Sequence, residues 1–225
     1  MSGPGREAAA ETEAEPRAFR RARERMVAAL ASRGITDETL LAVMARVPRQ
    51  WFVPEALAGN AYGDHPLPVL DGQTVTQPHT VALCVQEVRK VGGQKVLEVG
   101  TGTGYQAAVL AGVCRQVFSV ERNARLVALA RANLDRLGVT NVALLRGDGS
   151  IGWSRYAPYD AIVVAAGTPE VPAALLAQLR PGGRMLIPLG APGAQQLTRV
   201  THEAHGARAE AIASCSFVPL VPSKG

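Results

Sequence analysis

Apolar residues recur along this chain with two different periods, and the change from one to the other marks out the architecture. Phe19, Met26, Val27 and Leu30 recur at helical spacing in a segment that stops at Gly34. A second helix is expected over Asp37–Arg46, with Leu40, Leu41, Val43, Met44 and Val47 on its apolar side and Pro48 ending it. An irregular stretch, 54–78, follows, with prolines at 54, 66, 68 and 78 and glycines at 59, 63 and 72. A loop this long inside a compact domain is usually functional or disordered. Trp51, Phe52, Tyr62, Leu67 and Val69 argue that it packs. Pro78 suits the first position of a helix running through Val81, Leu83, Cys84, Val85 and Val88 to Gly92-Gly93.

From Lys95 the pattern alternates between strand and helix. Strands are expected over 95–99, 116–120, 142–146, 159–165 and 184–189, and helices over 105–114, 123–137 and 172–179. Two more strands, 196–201 and 209–218 with Gly206 between them, suggest a terminal hairpin. The fold class is therefore α/β: a Rossmann-like, doubly wound, mostly parallel seven-stranded sheet with helices on both faces. The chain divides into a tail (1–18), a helical and loop region (19–93) and a nucleotide-binding region (94–225), the last two forming one unit.

Composition narrows the function. Hydrophobic residues make up 47% of the 225 and aromatics only 4%, so the core is aliphatic. The net charge of +5 is mild, and the six arginines between Arg6 and Arg25 are interleaved with five glutamates. A nucleic-acid surface shows a denser one-signed patch, so no nucleic-acid partner is expected. The three cysteines, Cys84, Cys114 and Cys215, are odd in number and show no C-x-x-C spacing, which argues against a disulfide framework or a zinc site, and no metal is expected. No apolar run approaches the ~20 residues of a membrane span. Met1 to Pro16 lacks a signal-peptide apolar core, so a cytoplasmic location is expected.

The candidate chemistry lies in Glu98-Val-Gly100-Thr-Gly102-Thr-Gly104-Tyr105, which follows a strand and opens a helix. Glycines allow unusual backbone angles and close ligand approach, and a helix start offers free N–H groups. A dinucleotide turn places its third glycine five residues after the first, whereas here the interval is four. Glu98 suits a cationic amino group better than a pyrophosphate. The turn therefore favours S-adenosyl-L-methionine, bound by Glu98, Gly100, Thr101, Gly102 and Gly104. Glu121, at the end of the second strand and 21 residues beyond Gly100, is placed to accept from ribose hydroxyls. Asp148, inside Gly147-Asp-Gly149, is placed to accept from the adenine amino group, with Gly149 beside it.

The chain also carries Gly72-Gln-Thr-Val-Thr-Gln-Pro-His79, with Tyr62, Asp64 and Pro66-Leu-Pro68 before it, the stretch Val-Pro-Arg49 to Phe-Val-Pro54, and Phe217-Val-Pro-Leu-Val221. On these segments, from about Arg25 to Val221, it resembles the protein-L-isoaspartate O-methyltransferases. The resemblance implies methyl transfer to the free carboxylate of isoaspartyl residues in damaged proteins and peptides, yielding S-adenosyl-L-homocysteine. It further implies that Thr76 stands where the family has a catalytic serine, that Thr74, Val75 and Gln77 line the methionine end of the cofactor, and that Pro78, His79, Val218 and Val221 meet the substrate. No general base is needed, because a carboxylate of reference pKa about 4 is already ionised near neutrality, and His79 is read as lining the groove. A monomer is expected. Three rivals stay open: an enzyme acting on an ordinary aspartate of a modified peptide, a small-molecule methyltransferase, and a cofactor-binding homologue with weakened catalysis.

Overall fold

A computed structural model describes residues 15–222. The expected flexible tail falls largely outside this range, and the first helix already begins at Arg17. That helix, α1 (Arg17–Ser32), buries Met26 and Leu30. Helix α2 (Glu38–Met44) starts on Asp37, whose carboxylate accepts from the Leu40 N–H at 2.9 Å. Such a cap contributes about 1 kcal/mol. Short 3-10 turns at Arg49–Phe52 and Glu55–Asn60 follow. A two-residue hairpin then pairs β1 (Leu67–Pro68) with β2 (Thr74–Val75). Helix α3 (Pro78–Lys90) begins on its proline, as the sequence predicts.

The remainder alternates β3 (Lys95–Val99), α4 (Tyr105–Ala111), β4 (Gln116–Glu121), α5 (Ala124–Arg136), β5 (Val142–Arg146), β6 (Tyr159–Val164), α6 (Ala173–Leu176) and β7 (Leu179–Leu189). The hairpin β8 (Gln195–Glu203) and β9 (Gly206–Cys215) ends it. The sheet order is β5-β4-β3-β6-β7-β8-β9. Its first five strands are parallel, and β8 and β9 are antiparallel.

Alternation along each strand sends side chains to two cores. Val96, Val117, Ala161 and Val163 join a cluster with Met26, Val43, Val85 and Val109 from α1–α4. The N-terminal helices thus share a core with the sheet. On the opposite face, Leu97, Phe118, Ile162 and Met185 pack with Leu175 of α6. An aromatic cluster gathers there: Phe118 stacks on Tyr156 at 4.4 Å and meets Trp153 edge-on at 5.6 Å.

Several boundaries differ from the sequence-based expectation: α4 ends at Ala111 rather than Cys114, and β9 ends at Cys215 rather than Val218. Helix α6 is four residues rather than a run to Leu179, because β7 starts at Leu179 and continues through Pro181-Gly-Gly183. That segment lies where the pairing with β6 shifts register between Tyr159 and Ala161, the kind of irregularity that tolerates proline. Strand β9 begins at Gly206 rather than Ala209.

The strand order fixes where a ligand can sit. Chain direction across the sheet reverses at β3, flanked by β4 on one side and β6 on the other. Open α/β sheets bind ligands outside the carboxyl ends of the strands at such a switch point. The loops after β3, β4 and β6 converge there.

Candidate active site

The glycine turn after β3 forms one wall of the site. Gly100, Gly102 and Gly104 have φ of 93°, 56° and 95°, a left-handed region that strains any residue with a Cβ. They serve different ends. A Cβ on Gly104 would press at 3.4 Å on the Ala130 backbone, so this glycine lets α4 approach α5. A Cβ on Gly102 would meet nothing within 4 Å, so this glycine clears open space.

Two carboxylates hold the turn from below and beside. Glu121 ends β4 and accepts from the Gly102 N–H at 3.0 Å through one oxygen and from the Asn123 N–H at 2.9 Å through the other. Each oxygen keeps a lone pair for a further donor. Glu98 is fully buried beneath the turn. Its carboxylate accepts from Ser119 Oγ at 2.5 Å and Gln106 Nε2 at 3.1 Å. Ser119 shares a second 2.5 Å hydrogen bond with Thr101. Burial pushes the Glu98 carboxyl up to about 7, against the opposing hydrogen bonds from Ser119 and Gln106, and the charge of Glu121 adds to the rise.

Above the turn lies a narrow cleft. Gly100, Thr101, Gly102 and Glu121 line one side, and Thr74, Val75 and Thr76 of the β2 segment line the other. Past Glu121 and Ala165 it opens into a wider outer chamber bounded by Gly149, Val218 and Val221. This outer wall is a strap, Phe217 to Val221, held in three ways. Val218 and Leu220 bracket Gly167 with backbone bonds of 2.8 and 2.7 Å. The Gln195 amide takes both polar groups of Phe217, at 2.6 and 3.2 Å. Arg122 donates to the Val221 carbonyl at 3.1 Å.

Two residues of the cleft lining, Thr103 and Tyr105, each carry a buried hydroxyl that has no protein partner among the described residues, which is uncommon. Burial pushes the Tyr105 hydroxyl up to about 12, so it is a donor rather than an anion.

Residues 21–225 match the family described as Protein-L-isoaspartate(D-aspartate) O-methyltransferase (PCMT). The chain belongs to this family. It is 49% identical to the protein-L-isoaspartate O-methyltransferase of Magnetococcus marinus over 91% of this chain and 90% of that protein. It is also 49% identical to the Methylorubrum extorquens protein of the same name, over 99% and 97%. A solved protein-L-isoaspartate O-methyltransferase superposes with a TM-score of 0.77 at 30% identity, covering 90% of this chain and 66% of that one. A Plasmodium falciparum structure of the PCMT type, in complex with S-adenosyl-L-homocysteine, shares the fold at TM-score 0.77 and 24% identity, covering 88% and 98%.

Within this PCMT fold, the site residues expected from sequence fall into three groups. Gly100, Thr101, Gly102, Glu121, Gly149, Thr74, Val75, Thr76, Val218 and Val221 border the two chambers. Glu98 and Gly104 lie behind the turn and shape it from within. Asp148 caps the 3-10 turn Gly149–Ile151, accepting from the Ser150 N–H at 2.8 Å, with Gly149 of that turn on the chamber wall. Gln77, expected at the cofactor, and Pro78 and His79, expected at the substrate, likewise line neither chamber: Gln77 is the residue at the cap position of α3, Pro78 is buried on a groove beside α1, and the half-buried His79 donates its backbone N–H to Asp64 at 2.9 Å.

Sequence reading missed Tyr105, Gln195 and the strap residue Phe217. Tyr105 carries the only usable signal, as the bulky residue directly after Gly104. Gln195 sits in a polar pair, Gln195-Gln196, that nothing local distinguishes. Among the described residues no cluster of His, Cys, Asp and Glu could hold a metal ion. None of their helices is long and apolar enough to cross a membrane. Cys84, Cys114 and Cys215 are free thiols.

Proposed function

We propose that this chain transfers the methyl group of S-adenosyl-L-methionine to the free carboxylate of L-isoaspartyl residues in damaged proteins and peptides, leaving S-adenosyl-L-homocysteine. The observation that carries this reading is the single cleft with two unlike walls. Gly100, Gly102 and Glu121 face Thr74, Val75 and Thr76 across one space. Membership of the PCMT family supplies the acceptor.

When bound, S-adenosyl-L-methionine presents an electrophilic methyl group on a sulfonium and leaves as a neutral thioether. The chain's own work is positioning and exclusion of water. Gly102 leaves room for the ligand to lie on the turn, and Glu121 offers its remaining lone pairs to ribose hydroxyls. Thr76 offers a hydroxyl donor to the acceptor carboxylate. The acceptor needs no base, which agrees with His79 engaging Asp64 through its backbone rather than its ring. Val75 and Phe217 supply apolar surface that keeps water from the methyl group.

A cytoplasmic, monomeric protein that binds neither nucleic acid nor membrane belongs to the same proposal. Three free thiols suit a reducing compartment. The paired charges on β9 suit a sheet edge that stays open.

The decisive experiment compares methyl transfer to an isoaspartyl peptide and to its normal aspartyl isomer. Transfer to the isoaspartyl form alone is expected. Equal transfer to both would move the assignment to an aspartyl O-methyltransferase, and transfer to neither, with S-adenosyl-L-homocysteine still bound, would overturn catalysis.

A further inference from the structure

Behind the acceptor wall lies a buried cation to which the reading above gives no task. Arg49 opens the 3-10 turn Arg49–Phe52 and is fully buried. Its Nη1 donates to the Ala61 carbonyl, and its Nη2 donates to the carbonyls of Thr76 at 2.8 Å and Val75 at 3.4 Å. Its guanidinium carbon lies 5.2 Å from the centre of the Tyr105 ring. Among the described residues no carboxylate pairs with it, and its Nε has no partner. A guanidinium keeps its proton even when buried. A full positive charge, held by carbonyl dipoles and an aromatic face and opposed only at longer range by the Asp64 carboxylate, therefore stands directly behind Thr76.

Two consequences follow from peptide geometry. In a trans peptide the N–H points opposite to the preceding carbonyl. Carbonyls of Val75 and Thr76 turned toward Arg49 send the N–H groups of Thr76 and Gln77 away from it. Among the described residues neither N–H donates to a protein acceptor. The segment thus offers two amide donors and the Thr76 hydroxyl on the side away from Arg49. A neutral side chain would close this loop more cheaply, because burying an unpaired charge costs several kcal/mol. The charge has a use if the group bound in front of it is an anion.

We propose that Arg49 is a positioning residue that makes the acceptor wall selective for a carboxylate: it pins the Val75 and Thr76 carbonyls, turns the following amides outward, and leaves its own charge behind them. This rests on the carboxyl-transfer reading. It concerns how the wall tells an ionised acceptor from a neutral one of the same shape.

The test uses the full chain, an isoaspartyl peptide as substrate, and the same peptide with its free carboxylate replaced by carboxamide as a competitive inhibitor. Wild type, Arg49→Met and Arg49→Lys are compared for peptide KM, kcat, inhibitor Ki, and affinity for S-adenosyl-L-homocysteine. In Arg49→Met the peptide KM is expected to rise about thirtyfold and the preference for acid over amide to fall about tenfold, with cofactor-product affinity within about threefold of wild type. Arg49→Lys keeps the charge but loses the forked geometry, so it should retain most of the acid preference while KM rises. An unchanged acid preference in Arg49→Met would overturn the proposal. So would a parallel loss of peptide and cofactor-product binding in both variants, which signals general loosening. If the Met variant does not fold, the Lys variant decides: loss of acid preference with product binding intact would sink the idea, and its retention would support it. A wild type that binds the product but methylates no isoaspartyl peptide would instead strike at the carboxyl-transfer reading, in a sample where Arg49 is untouched.

Discussion

The cofactor wall hangs from the ends of three parallel strands, whereas the acceptor wall hangs from a two-residue hairpin and a buried guanidinium. On the first, Gly100 follows β3, Glu121 ends β4 and Ala165 follows β6, so the ladder itself sets their spacing. On the second, Thr76 follows a β2 strand of two residues and is fixed by Arg49, 27 positions away in sequence. A wall built from a sheet inherits its rigidity. A wall built from side chain to backbone bonds can be retuned by one substitution. This difference implies that changes on the first wall move cofactor affinity and changes on the second move acceptor turnover.

The sharpest way to break the comparison is Thr76. Thr76→Val removes the donor while keeping the branched shape, and kcat on the isoaspartyl peptide is expected to fall about 100-fold, the usual cost of one transition-state donor. Thr76→Ser should stay active. Product affinity should move little in either, and an active Val variant would show that the hydroxyl has no part in transfer.

Glu98 tests the opposite wall through stability. The folded chain holds the Glu98 proton up to about 7, while an unfolded glutamate releases it near 4.5. Between those values the folded state binds more protons, so the contribution of this group to stability falls as pH rises. Glu98→Gln does not titrate, and it should gain about 2–3 kcal/mol relative to wild type between pH 5 and pH 8. Urea unfolding at the two pH values measures this, and a constant difference would refute the buried-acid assignment. Glu121→Ala leaves the Gly102 and Asn123 N–H groups without their acceptor and removes the ribose contact. Affinity for S-adenosyl-L-homocysteine, read by calorimetry, should weaken about tenfold, with peptide KM unchanged at saturating cofactor. His79→Ala should be the mildest: kcat/KM within about twofold and an unaltered pH profile, since the ring is neither base nor buried. A lost acidic limb in that profile would restore His79 as a proton acceptor.

The unequal construction of the two walls also explains what could be read in advance. Strands β3, β4, β5 and β6 announce themselves as short apolar runs, and the glycine spacing after β3 needs only local conformation to be understood. Gly149 is similar: a Cβ there would lie 2.4 Å from Val99 Cγ1, a packing requirement of the sheet edge itself. Glu98 shows the limit. Its place beside the glycines suggests contact with the ligand, but strand alternation turns it inward to Ser119 and Gln106, and only the three-dimensional pairing of β3 with β4 reveals that. Arg49 and Gln195 are harder still. Their partners are backbone groups of Thr76 and Phe217, which leave no residue-type signature at either end. The 54–78 stretch was legible as packed but not as structured, because 3-10 turns and a two-residue hairpin carry no periodicity.

Strand β9 begins earlier than its apolar residues suggest because its first half is a solvent-facing edge of alanines and charges. Arg208 pairs with Glu203 at 2.8 Å, and Glu210 pairs with Arg199 at 2.6 Å. An open strand edge is a template for any other unpaired strand, and charged side chains along it are the usual protection. That protection matters in a family whose substrates are damaged proteins. Such chains carry exposed strands seeking partners, and a bare edge would collect them into aggregates. The charged pairs along β9 leave such a strand no apolar edge to join.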